Sequence, residues 1–201
     1  MTDPYPQIGA VLLGAGFSRR FGSDKRLAPL GASTVAETTA AIYAEAFVDR
    51  LRFVVRPEDK ALQQKLSPLG DIIVTEQAHL GMGHSLTAGI QGLDWDWAFV
   101  GLIDMPFITA DSLNRLRQRA QVTTKRILRP ALQVADGRVA DVPHGHPVGF
   151  HCSLFPRLAT LRGDEGARKV LQDYVSAIED VALKDDGVVR DVDRPEDLSD
   201  R

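Results

Sequence analysis

Residues 8–13, IGAVLL, carry no polar side chain and end at a glycine. A strand with one wet face alternates apolar and polar residues, so a run that is apolar on both faces has to be covered on both. LRFVV (51–55), DIIVT (71–75) and WAFVGLI (97–103) read as three further strands. Between these runs the apolar spacing changes to three or four residues. Val35, Thr39, Ile42, Tyr43, Ala46 and Phe47 mark one face of a helix, which Ser33 or Thr34 can cap. Pro57 suits the first turn of a second helix, and SLTAGIQGL (85–93) reads as a third. Thr109 can cap a fourth helix, bearing Leu113, Leu116 and Ala120. Strands and helices alternating through short links predict an α/β fold: a mostly parallel sheet with helices on both faces. The last third is less regular. It predicts a hairpin over 127–142 around Asp136-Gly137, a strand at 148–152 and a helix through Ala167, Val170, Leu171, Tyr174 and Val175 with Asp164 as its cap. A closing strand over 188–193 and a short helix from Pro195 complete the reading. No repeat or linker interrupts the chain, so 1–201 is expected to be a single domain.

The chain has 201 residues, a net charge of −3 and one cysteine, Cys152. One cysteine forms no intramolecular disulfide, and the opening MTDPYPQ is not a signal peptide. No apolar run approaches the ~18 residues of a membrane span. A cytoplasmic protein with no nucleic-acid or membrane partner is expected. Against this acidic background, 13–26 (LGAGFSRRFGSDKR) stands out, with Gly14, Gly16 and Gly22 beside Arg19, Arg20, Lys25 and Arg26. In open α/β sheets ligands sit at the carboxyl ends of strands, where this stretch begins. Glycines let backbone N–H groups approach a phosphate, and Arg20 and Lys25 can neutralise its oxygens, with Arg19 and Arg26 as helpers. No glycine precedes a lysine and a hydroxyl residue, which excludes the P-loop. A dinucleotide fingerprint is half matched by Gly14-Ala15-Gly16, but Arg19 takes the third glycine's place; Glu37 would be its distal acid. A solvated glycine turn with surface arginines is the bland alternative.

Leu13, Gly16, Ser18, Arg20, Gly22 and Lys25 match, position by position, the L-x-A-G-x-S-x-R-M-G-x-x-K loop of the molybdenum cofactor cytidylyltransferase (MocA-like) family and its MobA-like guanylyltransferase relatives. The chain resembles that family along essentially its whole length. GLIDMP (101–106) resembles the segment whose aspartate binds Mg²⁺, and DVDRPEDL (191–198) the closing D-I-D-T-P-E-D-L. GMGHSL (81–86) resembles G-M-G-x-S-L, and 145–150 and 163–171 resemble the G-H-P-V and G-D-x-G-A-R segments. Three positions depart: Gly14 replaces an alanine next to the base contact, Phe21 a methionine, and Ile103 a small residue.

The resemblance implies a Rossmann-like nucleotidyltransferase sheet and the following roles. Lys25, Arg20 and Asp104 would be catalytic. Leu13, Gly14, Ala15, Gly16, Ser18, Arg19, Gly22, Gly83 and Ser85 would bind the nucleotide. His146, Pro147, Asp164 and Arg168 would face the acceptor, and Asp104 and Asp193 would hold Mg²⁺. Turn and cap roles compete at several of these positions: Asp104 before Pro106, Asp193 before Pro195, and Ser85 in a first turn. The implied reaction is CMP transfer from CTP to molybdopterin or its molybdate-loaded form, and the product would serve a molybdoenzyme of the xanthine dehydrogenase type. Other readings are a guanylyltransferase, a nucleotidyltransferase for another phosphorylated acceptor, an NAD(P)H-dependent reductase, which some relatives are described as, and a non-catalytic pterin carrier. His144, His146, His151 and Cys152 do not have the spacing of a structural zinc site.

Overall fold

The structure is a computed structural model that describes residues 5–18, 21–134, 145–164 and 166–198. Its strands are β1 (Ile8–Leu13), β2 (Pro29–Leu30), β3 (Ser33–Thr34), β4 (Leu51–Val55), β5 (Asp71–Val74), β6 (Trp97–Leu102), β7 (Ile127–Leu132), β8 (Val148–His151) and β9 (Ile178–Leu183). Its helices are α1 (Val35–Ala46), α2 (Lys60–Leu66), α3 (Met82–Ile90), α4 (Ala110–Val122), α5 (Phe155–Leu158) and α6 (Arg168–Asp173). The main sheet has seven strands in the order β5-β4-β1-β6-β8-β7-β9. Only β8 breaks its parallel sense, pairing antiparallel with β6 and β7. β2 and β3 form a separate small hairpin.

β1 shows why IGAVLL has no polar face. Ala10 and Leu12 pack on one side with Tyr43 of α1, with Phe47, which follows that helix, and with Leu113 and Leu116 of α4. Val11 and Leu13 pack on the other with Leu86 and Ile90 of α3 and Leu158 of α5. α1 starts where its chemistry predicts. Thr34 Oγ1 accepts from the Glu37 backbone N–H at 3.4 Å and donates to Glu37 Oε2 at 2.7 Å, a reciprocal cap.

Several boundaries differ from the sequence reading. α2 begins after Asp59 rather than at Pro57, and α3 begins three residues earlier than expected, at Met82. Ala167, not Asp164, precedes α6, whose start has no side-chain cap. Residues 178–183 form the edge strand β9, paired in parallel with β7, which the sequence reading missed. The closing strand expected over 188–193 does not form. A 3-10 turn spans Asp186–Val189, and the chain then runs across the strand ends. Its backbone bonds go to loops: Val188 C=O accepts from His146 N–H (2.8 Å), and Val192 N–H donates to Asp104 C=O (2.9 Å). The turn at Asp136-Gly137 lies outside the described residues. No helix among the described residues is long and apolar enough to cross a membrane.

Candidate active site

β1 lies between β4 and β6, so the chain moves to one side of β1 and then to the other. Such a switch point opens a crevice at the carboxyl ends of the two strands. A cleft of about 450 Å³ fills it. The loop after β1 supplies Leu13, Gly14, Ala15, Gly16, Ser18 and Lys25. The loop after β6 supplies Asp104, the start of α3 supplies Gly81, Met82 and Ser85, and the carboxyl-terminal segment supplies Asp191 and Asp193.

At its centre Lys25 Nζ donates to Asp104 Oδ2 at 2.6 Å and to Asp193 Oδ1 at 2.9 Å. Burial alone would lower the Lys25 ammonium; the charges of Asp104 and Asp193 outweigh it and raise it above its ordinary value. Asp104 Oδ1 is buried and has no hydrogen-bond partner among the described residues. Burial, then the nearby carboxylates of Asp193 and Asp104, push Asp191 up. Asp191 was passed over in the sequence although the quoted motif contains it. Its alternation with Asp193 was the available signal, since residues two apart in extended chain share a face.

The loop that delivers Lys25 is held from beneath. Arg26 is 2% exposed and uses all five of its N–H groups within the protein. Nη1 donates to Gly14 C=O and to Asp59 Oδ2 (2.6 Å). Nη2 donates to Asp59 Oδ1 (2.7 Å) and Asp24 Oδ2 (2.6 Å), and Nε to Asp24 Oδ1 (2.8 Å). Arg26 is therefore a tether and not a helper for a bound anion, which corrects the sequence reading. Arg56 adds two guanidinium bonds and one backbone N–H bond to Asp59, and its guanidinium lies over the Phe17 ring, 4.9 Å from its centroid. Ser18 Oγ accepts from Lys25 N–H at 3.3 Å, and Gly22 turns the loop at φ +82°. A Cβ added to Gly16 would meet nothing within 4 Å, so that glycine leaves open space over the cleft.

The departures at positions 14 and 103 explain each other. A Cβ on Gly14 would lie 3.2 Å from Ile103 Cγ2 and 3.3 Å from Ile103 Cδ1. Ile103, just after β6, fills the space that an alanine just after β1 would fill. The glycines of GMG pack against protein as well. A Cβ on Gly81 would fall 2.3 Å from the Gly163 carbonyl carbon, and one on Gly83 2.9 Å from Arg162 C=O. Gly83 N–H donates to Gly163 C=O at 2.8 Å. Gly83 thus joins α3 to the 162–164 segment and does not line the cleft, whereas Asp164 does.

His146 lies behind the cleft, its Nδ1 3.5 Å from Val100 C=O, and burial pushes its imidazole down. Pro147 is buried beside it and does not line the cleft. Arg168 is exposed and borders a separate groove with Arg129 and Asp180, so the structure does not bring it to the other candidates. Arg19, Arg20 and His144 lie outside the described residues. Among those described, no group of three or more His, Cys, Asp or Glu side chains is arranged to hold a metal. The geometry after β1 does not match a dinucleotide fingerprint. The loop after β1 leads to a 3-10 turn (Lys25–Leu27) and a hairpin rather than a helix, and Glu37 is engaged by Thr34 and, at 2.7 Å, by Lys65.

Comparison with known proteins identifies the family. Over 209 aligned residues the chain is 28% identical to the purine catabolism protein PucB of Bacillus subtilis (strain 168), covering 98% of this chain and 96% of that one. It is 30% identical over 178 residues to a probable molybdenum cofactor guanylyltransferase of Mycobacterium tuberculosis (strain ATCC 25618 / H37Rv), covering 84% and 79%. The crystal structure of Rv0371c from M. tuberculosis H37Rv superposes with a TM-score of 0.81 at 25% identity, covering 98% and 97%. Residues 10–180 match the MobA-like NTP transferase domain, and the chain belongs to that family of nucleotidyltransferases.

Proposed function

We propose that this enzyme transfers CMP from CTP to molybdopterin or its molybdenum-loaded form and releases pyrophosphate. The observation that carries the reading is the convergence of Lys25, Asp104 and Asp193 beside an open glycine loop at the sheet's switch point. The donor set suits Mg²⁺. Two carboxylate oxygens already hold a cation, and a further buried oxygen, Asp104 Oδ1, has no partner among the described residues. Mg²⁺ takes one or two carboxylates and completes its shell with water and substrate phosphates. Bound by Asp104 and Asp193, the ion would offset charge developing on the phosphate oxygens.

The chain's own groups do the remaining work. Gly14 N–H is spent on Val54 C=O (2.8 Å), which leaves the backbone N–H groups of 15–18 to face the triphosphate, with Lys25 and Arg20 balancing its charge. Ser85 and the loop start at Leu13–Ala15 seat the nucleoside. His146 and Pro147 support the acceptor side from behind, and Asp164 borders it. An acceptor phosphate oxygen attacks the α-phosphorus, the bond to the β-phosphate oxygen breaks, and pyrophosphate leaves. The acceptor phosphate is ionised near neutral pH, so positioning and charge neutralisation carry the catalysis. A cytoplasmic setting and delivery of the product to a xanthine-dehydrogenase-type molybdoenzyme complete the proposal.

The test incubates the protein with Mg²⁺, molybdenum cofactor and each ribonucleoside triphosphate in turn, and measures pyrophosphate. Release with CTP alone is expected. Release with GTP alone would keep the chemistry and reassign the nucleotide. No release with any triphosphate would overturn the reading.

A further inference from the structure

The proposed function gives Lys25 two tasks that this geometry does not allow at once. As a partner of the triphosphate, its ammonium must reach phosphate oxygens. In the structure it is instead bound between the two carboxylates assigned to the metal, 2.6 Å from one and 2.9 Å from the other. A divalent ion held by Asp104 and Asp193 would compete with the ammonium for the same pair of carboxylates. An ammonium and a divalent ion on one pair of carboxylates repel each other, so each weakens the other's hold there.

The neighbouring residue shows which part is free to move. Arg26 is fixed by its bonds to Asp24, Asp59 and Gly14, so the main chain at 25–26 is pinned to the end of β4. Lysine, by contrast, is a point charge on a four-carbon stem with many rotamers. The side chain can swing while its Cα stays in place.

Resting on the nucleotidyl-transfer reading, we infer that Lys25 is a built-in placeholder cation. It satisfies Asp104 and Asp193 until a nucleoside triphosphate arrives with its divalent ion, and the phosphates then draw the ammonium off the carboxylates as the metal takes them. Metal and nucleotide therefore bind with positive coupling, each strengthening the other. The free enzyme is a poor metal binder by construction. Without the lysine the two carboxylates would take metal readily and unproductively.

The probe is Mn²⁺, titrated into the full chain and followed by the loss of the free-ion electron paramagnetic resonance signal. Without nucleotide, Lys25→Met is expected to bind Mn²⁺ at least tenfold more tightly than the unaltered protein, and Lys25→Met/Asp104→Asn to lose that gain. With CTP or GTP present, and protein-free titrations subtracted, the unaltered protein is expected to gain at least tenfold. Lys25→Gln serves as a second variant, and circular dichroism reports whether each variant is folded. Equal Mn²⁺ affinity in the folded lysine variants and the unaltered protein would overturn the inference, and so would unaltered protein that binds Mn²⁺ equally well with and without nucleotide. Pyrophosphate release by the unaltered protein is scored separately, so the placeholder can fail while the transferase reading stands.

Discussion

Gly14 and Ile103 form one packing unit split between two strands. Gly14→Ala pushes a methyl group to within 3.2–3.3 Å of the Ile103 side chain, which is itself 2% exposed. Overpacking of this kind costs ~1–3 kcal/mol. Ile103→Ala removes both of the side-chain atoms that the methyl would meet, so Gly14→Ala should cost at most half as much in an Ile103→Ala background in urea unfolding, giving a clearly non-additive cycle. Additive effects would show that the two positions are independent. Arg26 teaches the same lesson at a single residue. In the sequence it is one of four cations in a glycine-rich stretch, with nothing to separate it from Lys25. The fold separates them: one side chain is buried against Asp24 and Asp59, and the other reaches the cleft. Asp24 is local, but the distinction is completed by Asp59, between β4 and α2, and by Asp104, after β6, which no local pattern contains.

At the scale of elements, the start of α3 and the 162–164 segment behave as one joint. Gly83→Ala places a Cβ against the Arg162 backbone, which cannot yield as a flexible side chain would. The expected loss is ~1–3 kcal/mol of stability, with the wall of the cleft displaced. Chemical denaturation together with the KM for nucleotide checks this. An unchanged midpoint and KM would mean that the joint tolerates a methyl group. Some elements were legible in the sequence and others were not, for physical reasons. β1 was legible because full burial on both faces leaves no polar residue in it. β9 was hidden because it is an edge strand, where Glu179 and Asp180 interrupt the apolar pattern. The segment 188–193 has the apolar, β-branched character of a strand, yet its backbone bonds go to Asp104 and His146 in neighbouring loops. That difference carries Asp191 and Asp193 across the strand ends and into the cleft.

At the scale of the whole molecule, acid should loosen the tether before it unfolds the sheet. Burial raises the Asp59 carboxyl, but the bonds from Arg26 and Arg56 more than reverse this and bring it from 3.8 to about 2. A carboxyl lowered in the folded state contributes stability above its unfolded value, and that stability is lost as pH falls through the folded value. The loss, ~2 kcal/mol, should fall between about pH 4 and pH 2 and be absent in Asp59→Asn. Asp59→Asn should itself cost ~3–5 kcal/mol at neutral pH, because it leaves the buried Arg26 short of a counter-charge. Thermal melts of both proteins across this range test the claim. An identical acid profile for the two would contradict it.

The central claim is that the cleft joining β1, β6 and the carboxyl-terminal segment moves a nucleotidyl group. The most direct measurement uses CTP labelled at the α-phosphorus or at the γ-phosphorus, with Mg²⁺ and molybdenum cofactor. The α-label should pass to the acceptor and the γ-label to pyrophosphate, and Asp104→Asn should slow both by at least ~100-fold, since electrostatic stabilisation of transferring phosphate is lost. An α-label that stays on free nucleotide, or an Asp104→Asn variant of near-normal rate, would contradict the account.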